Sequence, residues 1–295
     1  MTALLVAAAA GWLSAAPMPQ ARTEVAAAVV RGEIAVVGGL TQAGSPSARV
    51  DAYSPAADRW RRLPDLPAGV HHALAASDGL HLYVVGGYTG PIGAGRLSRS
   101  AHVLDGGRWR ALPPLPEPRA AGGAAVLAGR LYVVGGVGAS GLARTAFALD
   151  LATRRWRRIS APTTREHLAV TAAGGSIYAV GGRTRGFDTN VRTFEAWRPG
   201  EKHWRRLAPV PGARGGTGAA AAAGSIVSVG GEAPAGTIAS VYAYSLATGR
   251  WRRLPDLPTP RHGLGVVAVG TRVYAIAGGP SPGLTVTGAN EYLEL

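Results

Sequence analysis

A short apolar run that ends in two glycines recurs along the chain. Leu131–Val134 before Gly135 and Gly136 is the clearest copy, with only Val, Leu and Tyr ahead of the glycines. The other copies cover residues 34–39, 82–87, 177–182, 226–231 and 273–279. A continuous apolar run of this length, bounded by glycine, is typical of a β-strand buried on both faces. The pattern therefore predicts six equivalent buried strands.

Diglycine and tryptophan recur with one period. The diglycines begin at Gly38, Gly86, Gly135, Gly181, Gly230 and Gly278, with spacings of 48, 49, 46, 49 and 48 residues. Tryptophan recurs every 47 to 49 residues, at Trp12, Trp60, Trp109, Trp156, Trp204 and Trp251. A constant period in this range indicates an array of one supersecondary unit, such as the blades of a propeller.

Each repeat has room for four strands. A strand of small residues, such as 122–127, and a two-residue turn containing glycine precede the apolar run. A glycine-rich loop and a third strand with one bulky residue follow, and a fourth strand opens with tryptophan. The bulky residues are Tyr53, Val103, Leu149, Trp197, Tyr244 and Tyr292. Most of them lie seven residues before the next tryptophan, whereas Val103 lies six before Trp109.

This combination of diglycine, bulky residue and tryptophan resembles the kelch repeat, and it covers residues 12–295. The resemblance implies an all-β fold, a six-bladed kelch-type β-propeller with four-stranded antiparallel blades around a central channel. It also implies that the diglycine lies where a side chain would collide, and that the tryptophan fills the space between blades.

The two ends of the chain complement each other. No tryptophan follows Tyr292, and Trp12 supplies the missing one at the other end. We therefore expect the N-terminal strand to close the last blade, which removes two free sheet edges. We expect residues 11–295 to form the propeller and residues 1–10 to be an export-signal remnant or a disordered tail. The apolar run 3–13 is too short to span a bilayer and follows no basic residue, so an exported and a cytoplasmic protein both stay open.

Composition adds a charge imbalance. Lysine and arginine number 31 against 17 aspartates and glutamates, a net charge of +14, and Lys202 is the single lysine. An arginine-rich surface favours acidic partners. The chain has no cysteine, which excludes disulfides, thiolate metal sites and cysteine nucleophiles.

The strongest candidates for binding are arginines that start the first strand of five repeats: Arg22, Arg119, Arg165, Arg214 and Arg261. Each lies 16 residues before its diglycine, except Arg261 at 17. Neighbouring positions add His71, His262, Glu24 and Glu166 as ligand-binding candidates. Chain direction places them on the face that carries the variable loops, so the guanidinium groups could bind an anion. The alternative is a structural role, in which each arginine caps carbonyl groups at strand ends.

Four histidines fall near the same positions: His71, His72, His167 and His262. They could form a metal site only if folding brings them together, and their spacing does not predict that. The sequence therefore predicts neither a metal site nor a cofactor. A second arginine series follows the tryptophans, for example Arg61, Arg157 and Arg205, on the predicted outer strands. There it would discourage edge-to-edge pairing, and no aromatic interleaving suggests nucleic acid.

Signals for catalysis are weak, because no phosphate-binding loop, GxSxG elbow or HExxH helix is present. The sequence predicts a non-catalytic binding module, a monomer without a transmembrane segment. Its ligand would be an anionic small molecule, a glycan or an acidic protein segment on one propeller face. The alternative is a carbohydrate-active enzyme, lyase-like or similar to the sialic acid mutarotases, which are kelch propellers. Arg22 with Glu24, or Arg165 with Glu166, would then line the pocket. Galactose oxidase chemistry is excluded because its copper site needs a cysteine.

Overall fold

Six four-stranded antiparallel sheets follow one another in the computed structural model, which describes residues 11–295. The expected export remnant or tail, residues 1–10, lies outside the described residues. The strands of blades 1 to 3 are Ala26–Val30, Glu33–Val37, Val50–Ser54 and Arg59–Leu63; Leu74–Ser77, Leu82–Val85, Ala101–Asp105 and Arg108–Ala111; Gly123–Leu127, Arg130–Val134, Ala146–Asp150 and Arg155–Ile159. Those of blades 4 to 6 are Ala169–Ala173, Ser176–Val180, Phe194–Trp197 and Arg205–Arg206; Gly218–Ala222, Ser225–Val229, Val241–Ser245 and Trp251–Leu254; Gly265–Val269, Arg272–Ile276, Asn290–Glu294 and Leu13–Ser14.

The first strands of neighbouring blades pack side by side in a closed cycle and surround a central channel. The apolar run before each diglycine is the second strand and is buried, as in Leu131–Val134. The prediction of a six-bladed all-β propeller is confirmed. Three short hairpins extend the loops after the second strands: Tyr88–Thr89 with Arg96–Leu97, Val137–Gly138 with Gly141–Leu142, and Glu232–Ala233 with Gly236–Thr237.

Helical structure in the described part of the chain is limited to a 3₁₀ turn at Phe187–Thr189. No helix within residues 11–295 is long and apolar enough to cross a membrane.

The diglycine marks the closest approach between neighbouring blades. Gly86 has a φ of +65°, and a Cβ on it would lie 2.1 Å from the Arg119 carbonyl oxygen of the next blade. The Gly87 N–H donates to that same oxygen at 2.7 Å. A side chain at Gly86 would therefore break the contact that joins two blades. This confirms the collision implied by the kelch resemblance.

Each tryptophan ties its blade to the preceding one. The indole N–H of Trp109 donates to the Pro64 carbonyl oxygen at 2.9 Å, and that of Trp156 donates to Pro113 at 2.8 Å. Trp12 completes the circle by donating to Pro255 at 2.9 Å. The rings pack against the apolar clusters between blades, as expected.

Three register assignments made from the sequence were wrong. The bulky residue of blade 6 is Leu293 rather than Tyr292, because Leu293 pairs with Val273 as Tyr53 pairs with Ile34. In blade 6 the diglycine positions are Ala277 and Gly278, because Ala277 adopts the left-handed φ of 59° and Gly278 bonds the next blade. Arg261 is therefore 16 residues from its partner, as in the other copies. In blade 2 the residue opposite Trp109 is Leu104 rather than Val103, because the turn between the strands is shorter.

The N-terminal segment closes blade 6. Leu13 pairs with Tyr292, and Ser14 pairs with Glu291. Two further backbone hydrogen bonds, from Ala15 and Met18, extend this contact. The last blade is thus built from both ends of the described chain, as predicted.

Gly86→Ala should be far more destabilising than a glycine substitution with the same φ but open space. Gly106→Ala is the matched control, since its φ is +56° and nothing lies within 4 Å of a Cβ there. We expect a cost of about 1–2 kcal/mol for Gly106→Ala from the left-handed backbone alone. Gly86→Ala should cost about 1–3 kcal/mol more because of the collision. Equal losses in urea unfolding would contradict the close approach.

Removal of residues 1–20 should leave blade 6 with three strands and expose the edge of Asn290–Glu294, which Leu13–Ser14 covers. We expect aggregation, or a melting temperature at least about 5 °C lower, which is roughly 2 kcal/mol for a chain of this size. Removal of residues 1–10 alone is the control and should leave the melting temperature unchanged. If the protein without residues 1–20 were soluble and as stable as the control, the pairing of Leu13–Ser14 with Asn290–Glu294 would be wrong.

Candidate functional site: the mouth of the channel

Six residues just ahead of the first strands form a ring at one end of the channel. They share a left-handed backbone with φ between 50° and 65°: Glu24, His72, Ala121, His167, Gly216 and Gly263. Each backbone N–H from blades 2 to 6 donates to the ring carbonyl of the preceding blade, at 2.7–3.1 Å. Val25 closes the circle by donating to Gly263 at 3.2 Å. This mouth ring is a belt of hydrogen bonds around the axis.

Apart from glycine, the residues most often found at such φ values are asparagine, aspartate and histidine. His72 and His167 fit this preference, whereas Glu24 does not, and strained backbone of that kind concentrates at functional sites. The fold thus brings three chemically active side chains, from blades 1, 2 and 4, to one point.

The Glu24 carboxylate lies at the centre of this group. Its Oε2 is 3.2 Å from His72 Nε2 and 4.0 Å from Nε2 of His167 on the opposite blade. Its Oε1 is 3.2 Å from His262 Nδ1. A Cβ on Gly263 would lie 2.7 Å from the carboxylate, so the glycine makes room for it.

A second layer of charged groups surrounds the mouth ring. Arg183 donates to Glu232 Oε1 at 2.7 Å and to Glu166 Oε1 at 3.1 Å. Glu166 Oε1 also lies 3.3 Å from His167 Nδ1, and His262 Nε2 lies 3.7 Å from Glu232 Oε2. The mouth therefore contains three carboxylates against one guanidinium, together with histidines.

His71 stands behind His72. Their Nδ1 atoms are 2.6 Å apart, so one ring donates to the other, and His71 stacks on Tyr88. This contact leaves the opposite nitrogen of His72, Nε2, facing Glu24. His71 thus orients His72 of the mouth ring, although His71 itself does not lie on the axis.

Burial and charge set the protonation of the mouth. Burial lowers the pKa of His72 to about 3 despite the attraction of Glu24, so this imidazole is neutral at physiological pH. Burial would also lower the pKa of His262, but the hydrogen bond and charge of Glu24 raise it above its usual value. Burial would raise the pKa of Glu24, and the surrounding histidines, His72 and His262 above all, hold it well below its usual value. Glu24 and His262 therefore each favour the charged form of the other.

The space beside the mouth ring is small. The cavity there measures about 80 Å³ and is lined by Glu24, His72, His167 and their neighbours. Deeper in the channel the walls become alanine and valine, around a space of about 260 Å³. The polar part of the channel is therefore sized for an ion or a few waters, well below the 300–1,000 Å³ of pockets for larger ligands.

The five arginines predicted to bind an anion lie inside the blades. Arg22, Arg119, Arg165, Arg214 and Arg261 are all 0% exposed. Four of them donate to their own blade's first diglycine position, as Arg119 does to the Gly135 carbonyl at 3.0 Å. Arg214 instead bonds Ser240. This arrangement matches the structural alternative drawn from the sequence. A ligand-binding role for these arginines stays a prediction, against which their burial weighs.

The arginine–glutamate pairs expected for an enzyme pocket do not form. Arg22 donates to Asp51 at 2.6 Å and Arg165 to Glu195 at 2.5 Å, both within their own blades. Glu24 and Glu166 turn to the mouth without them. The arginine that meets Glu166 is Arg183.

Of the other sequence candidates, Glu24, Glu166 and His262 meet at the mouth, and His71 supports it from behind. Sequence reasoning missed Arg183 and Glu232 as site residues. Both directly follow a diglycine, and backbone bridges from Glu166 to Arg183 and from Gly215 to Glu232 carry them to the mouth. A signal was present, because the residue after each diglycine varies while its neighbours repeat.

Comparison with known proteins agrees with this architecture. The model of the KLHDC2/KLHL20/DRC7 Kelch-repeats domain matches residues 71–279, and a Kelch motif matches residues 21–67. The chain belongs to the kelch-repeat family. Its kelch propeller therefore belongs to a group of binding modules, in which the repeat itself carries structure and the loops and surfaces carry function.

Individual kelch relatives are distant. The chain is 32% identical to human Kelch-like protein 25 over 210 residues, which is 68% of this chain and 35% of the relative. It is 28% identical to Kelch-like protein terF of Aspergillus terreus, over 80% of this chain and 45% of the relative. Beta-scruin of Limulus polyphemus is 35% identical over 78 residues, 26% of this chain and 8% of the relative. The kelch chain thus spans less than half the length of these relatives.

Arg165→Met should destabilise the kelch propeller by about 3–5 kcal/mol, because it leaves Glu195 buried without its cation. The double variant Arg165→Met/Glu195→Gln should recover much of that loss, since the amide carries no charge. Arg144→Met, at an exposed loop position, is the control and should change stability by less than about 0.5 kcal/mol. Urea unfolding measures all three. If Arg165→Met kept full stability and lost affinity for an acidic ligand, the arginines would bind that ligand.

Proposed function

We propose that this kelch propeller binds an acidic segment of a partner protein through the outer strands of blades 3 to 5. The observation that carries the proposal is a set of exposed arginines on these strands. Within residues 11–295 no carboxylate lies in ion-pair distance of them. They are Arg155, Arg157, Arg158, Arg205, Arg206 and Arg252.

The outer strand of blade 1 differs at two positions. In blade 1, Arg61 pairs with Glu33 at 2.5 Å and Arg62 with Asp65 at 2.6 Å. These two arginines occupy the same strand positions as Arg157 and Arg158 of blade 3. Blades 3 and 4 carry five of the unpaired arginines and blade 5 carries one, against Arg59 in blade 1 and Arg108 in blade 2. The uncompensated positive charge is therefore densest on blades 3 and 4, more than protection of an edge strand alone would require.

The weakness of single exposed ion pairs favours an extended partner. One exposed arginine–carboxylate pair contributes about 0.2–1 kcal/mol, so useful affinity needs several at once. A segment with many carboxylates can contact arginines on adjacent blades, whereas a small anion or one acidic sugar cannot. Membership of a repeat family of binding modules also supports a protein partner.

The mouth of the channel supports this choice by contrast. Its three carboxylates, Glu24, Glu166 and Glu232, outweigh the guanidinium of Arg183 and the nearby imidazole of His262, which disfavours an anion there. Its cavity of about 80 Å³ is also small for a sugar ring. The carbohydrate-active enzyme is therefore the weaker candidate.

A polyglutamate peptide tests the proposal. Replacement of Arg157, Arg158, Arg205 and Arg206 by Gln should weaken its binding about fourfold or more, given about 0.2–1 kcal/mol for each of the four lost pairs. Binding to the unaltered protein should also weaken with salt, because charges more than about 8 Å apart are screened at physiological ionic strength. Fluorescence anisotropy at two salt concentrations measures both effects.

Arg61→Gln/Arg62→Gln is the matched control, since these arginines already have partners, and it should leave peptide affinity unchanged. Melting temperatures verify that each variant is folded. Equal affinity in all proteins would overturn the proposal. Tighter binding of a duplex DNA of equal charge, lost in the same fourfold variant, would assign the surface to nucleic acid instead.

A further inference from the structure

We infer that Glu24, His72 and His167 bind a divalent transition-metal ion of the zinc type on the propeller axis. One ligand atom from each residue lies within 4.8 Å of the others. Two imidazoles and a carboxylate are a donor set that suits zinc and its neighbours among the first-row metals. This site lies on the axis and is independent of the arginines of the outer strands.

One pair of ligand atoms already has the spacing of two bonds to one ion, and a second pair comes near it. Metal–ligand bonds of about 2.0–2.1 Å place two ligands roughly 3.3 Å apart at a tetrahedral angle. The separation of 3.2 Å between Glu24 Oε2 and His72 Nε2 meets this value. His167 Nε2, at 4.0 Å from the same oxygen, would need to approach by less than an ångström. At that distance His167 Nε2 makes no hydrogen bond to Glu24, and its side chain is only 9% exposed.

Two of the three ligands are held from behind by another group: His71 contacts Nδ1 of His72, and His262 contacts Oε1 of Glu24. Nδ1 of His167 lies 3.3 Å from Glu166 Oε1 without a hydrogen bond to it. These contacts leave Nε2 of both histidines and Oε2 of Glu24 facing one point. Supporting carboxylates and ring nitrogens of this kind orient the ligands of metal sites and tune their affinity.

The charged groups around the three ligands favour a bound cation. Glu166 and Glu232 add two further carboxylates beside the site, against Arg183 and His262. The adjoining cavity of about 80 Å³ leaves room for one or two waters to complete the coordination. Gly263 keeps the approach to Glu24 open, because a Cβ there would collide with the carboxylate.

Titration of the metal-stripped protein with Zn²⁺ tests the inference. We expect one ion per chain by calorimetry and a melting temperature that rises with Zn²⁺ concentration, as for any ligand of the folded state. Titration with Co²⁺ should give the visible absorption of a low-coordinate nitrogen and oxygen site. Absence of stoichiometric binding of either ion would overturn the inference.

Variants locate the ion. His72→Ala and His167→Ala should each abolish stoichiometric Zn²⁺ binding, and Glu24→Gln, which preserves size, should weaken it and shift the Co²⁺ spectrum. His71→Ala should reduce affinity about 10–100-fold, the range for groups that support a ligand. His81→Ala is the control, because His81 pairs with Asp78 at a part-exposed site away from the axis. Melting temperatures in chelator verify folding. Zn²⁺ binding unchanged in Glu24→Gln and His167→Ala, or lost in His81→Ala, would overturn the assignment.

Discussion

The propeller depends on the close approach of backbone between neighbouring blades. In blades 1 to 5 the first glycine of the pair lies against the next blade at its arginine position, where a Cβ would collide, and Ala277 takes this place in blade 6. In blade 3 the carbonyl group at this position belongs to Arg119, which accepts the Gly87 N–H of blade 2. Its guanidinium meanwhile donates to Gly135 of its own blade. One residue thus links two blades through its backbone and its side chain, which explains why an arginine can be buried at five of the six joints, with Val70 at the sixth.

The functional geometry follows from the same contact. Two residues beyond each arginine position, the chain turns left-handed and bonds the preceding blade, so one side chain per blade reaches the axis. Glu24 and His167 come from opposite blades and meet there. Positive charge, in contrast, collects on the outer strands, where nothing in the repeat constrains it. The centre and the edge of the disc therefore offer different chemistry.

The fold could be predicted from the sequence because its determinants are local and repeated. Spacing alone located six second strands, the interblade tryptophans and the closure through Leu13. The register errors arose where one copy departs from the pattern, since Ala277 replaces a glycine and the turn after Leu104 is short.

The site was harder to predict, because its members lie far apart in the chain. Glu24 and His167 are separated by three repeats, and only the closed ring brings them face to face. The repeated arginines gave the stronger signal, yet repetition reflected their structural position. Arg183 and Glu232 gave no repeated signal, because a residue that appears once in six copies is invisible to periodicity.

In the mouth ring the backbone conformation is the same in every blade, whereas the side chains differ. Its hydrogen bonds use backbone alone, so any residue that tolerates a left-handed φ can replace another without disturbing the circle. Glycine, asparagine, aspartate and histidine tolerate it best. That list is short, and it is rich in residues that bind cations and polar groups. The backbone conformation of the mouth ring thus limits which residue types can form the axial site. Related chains could bind different ligands there after single substitutions within that set.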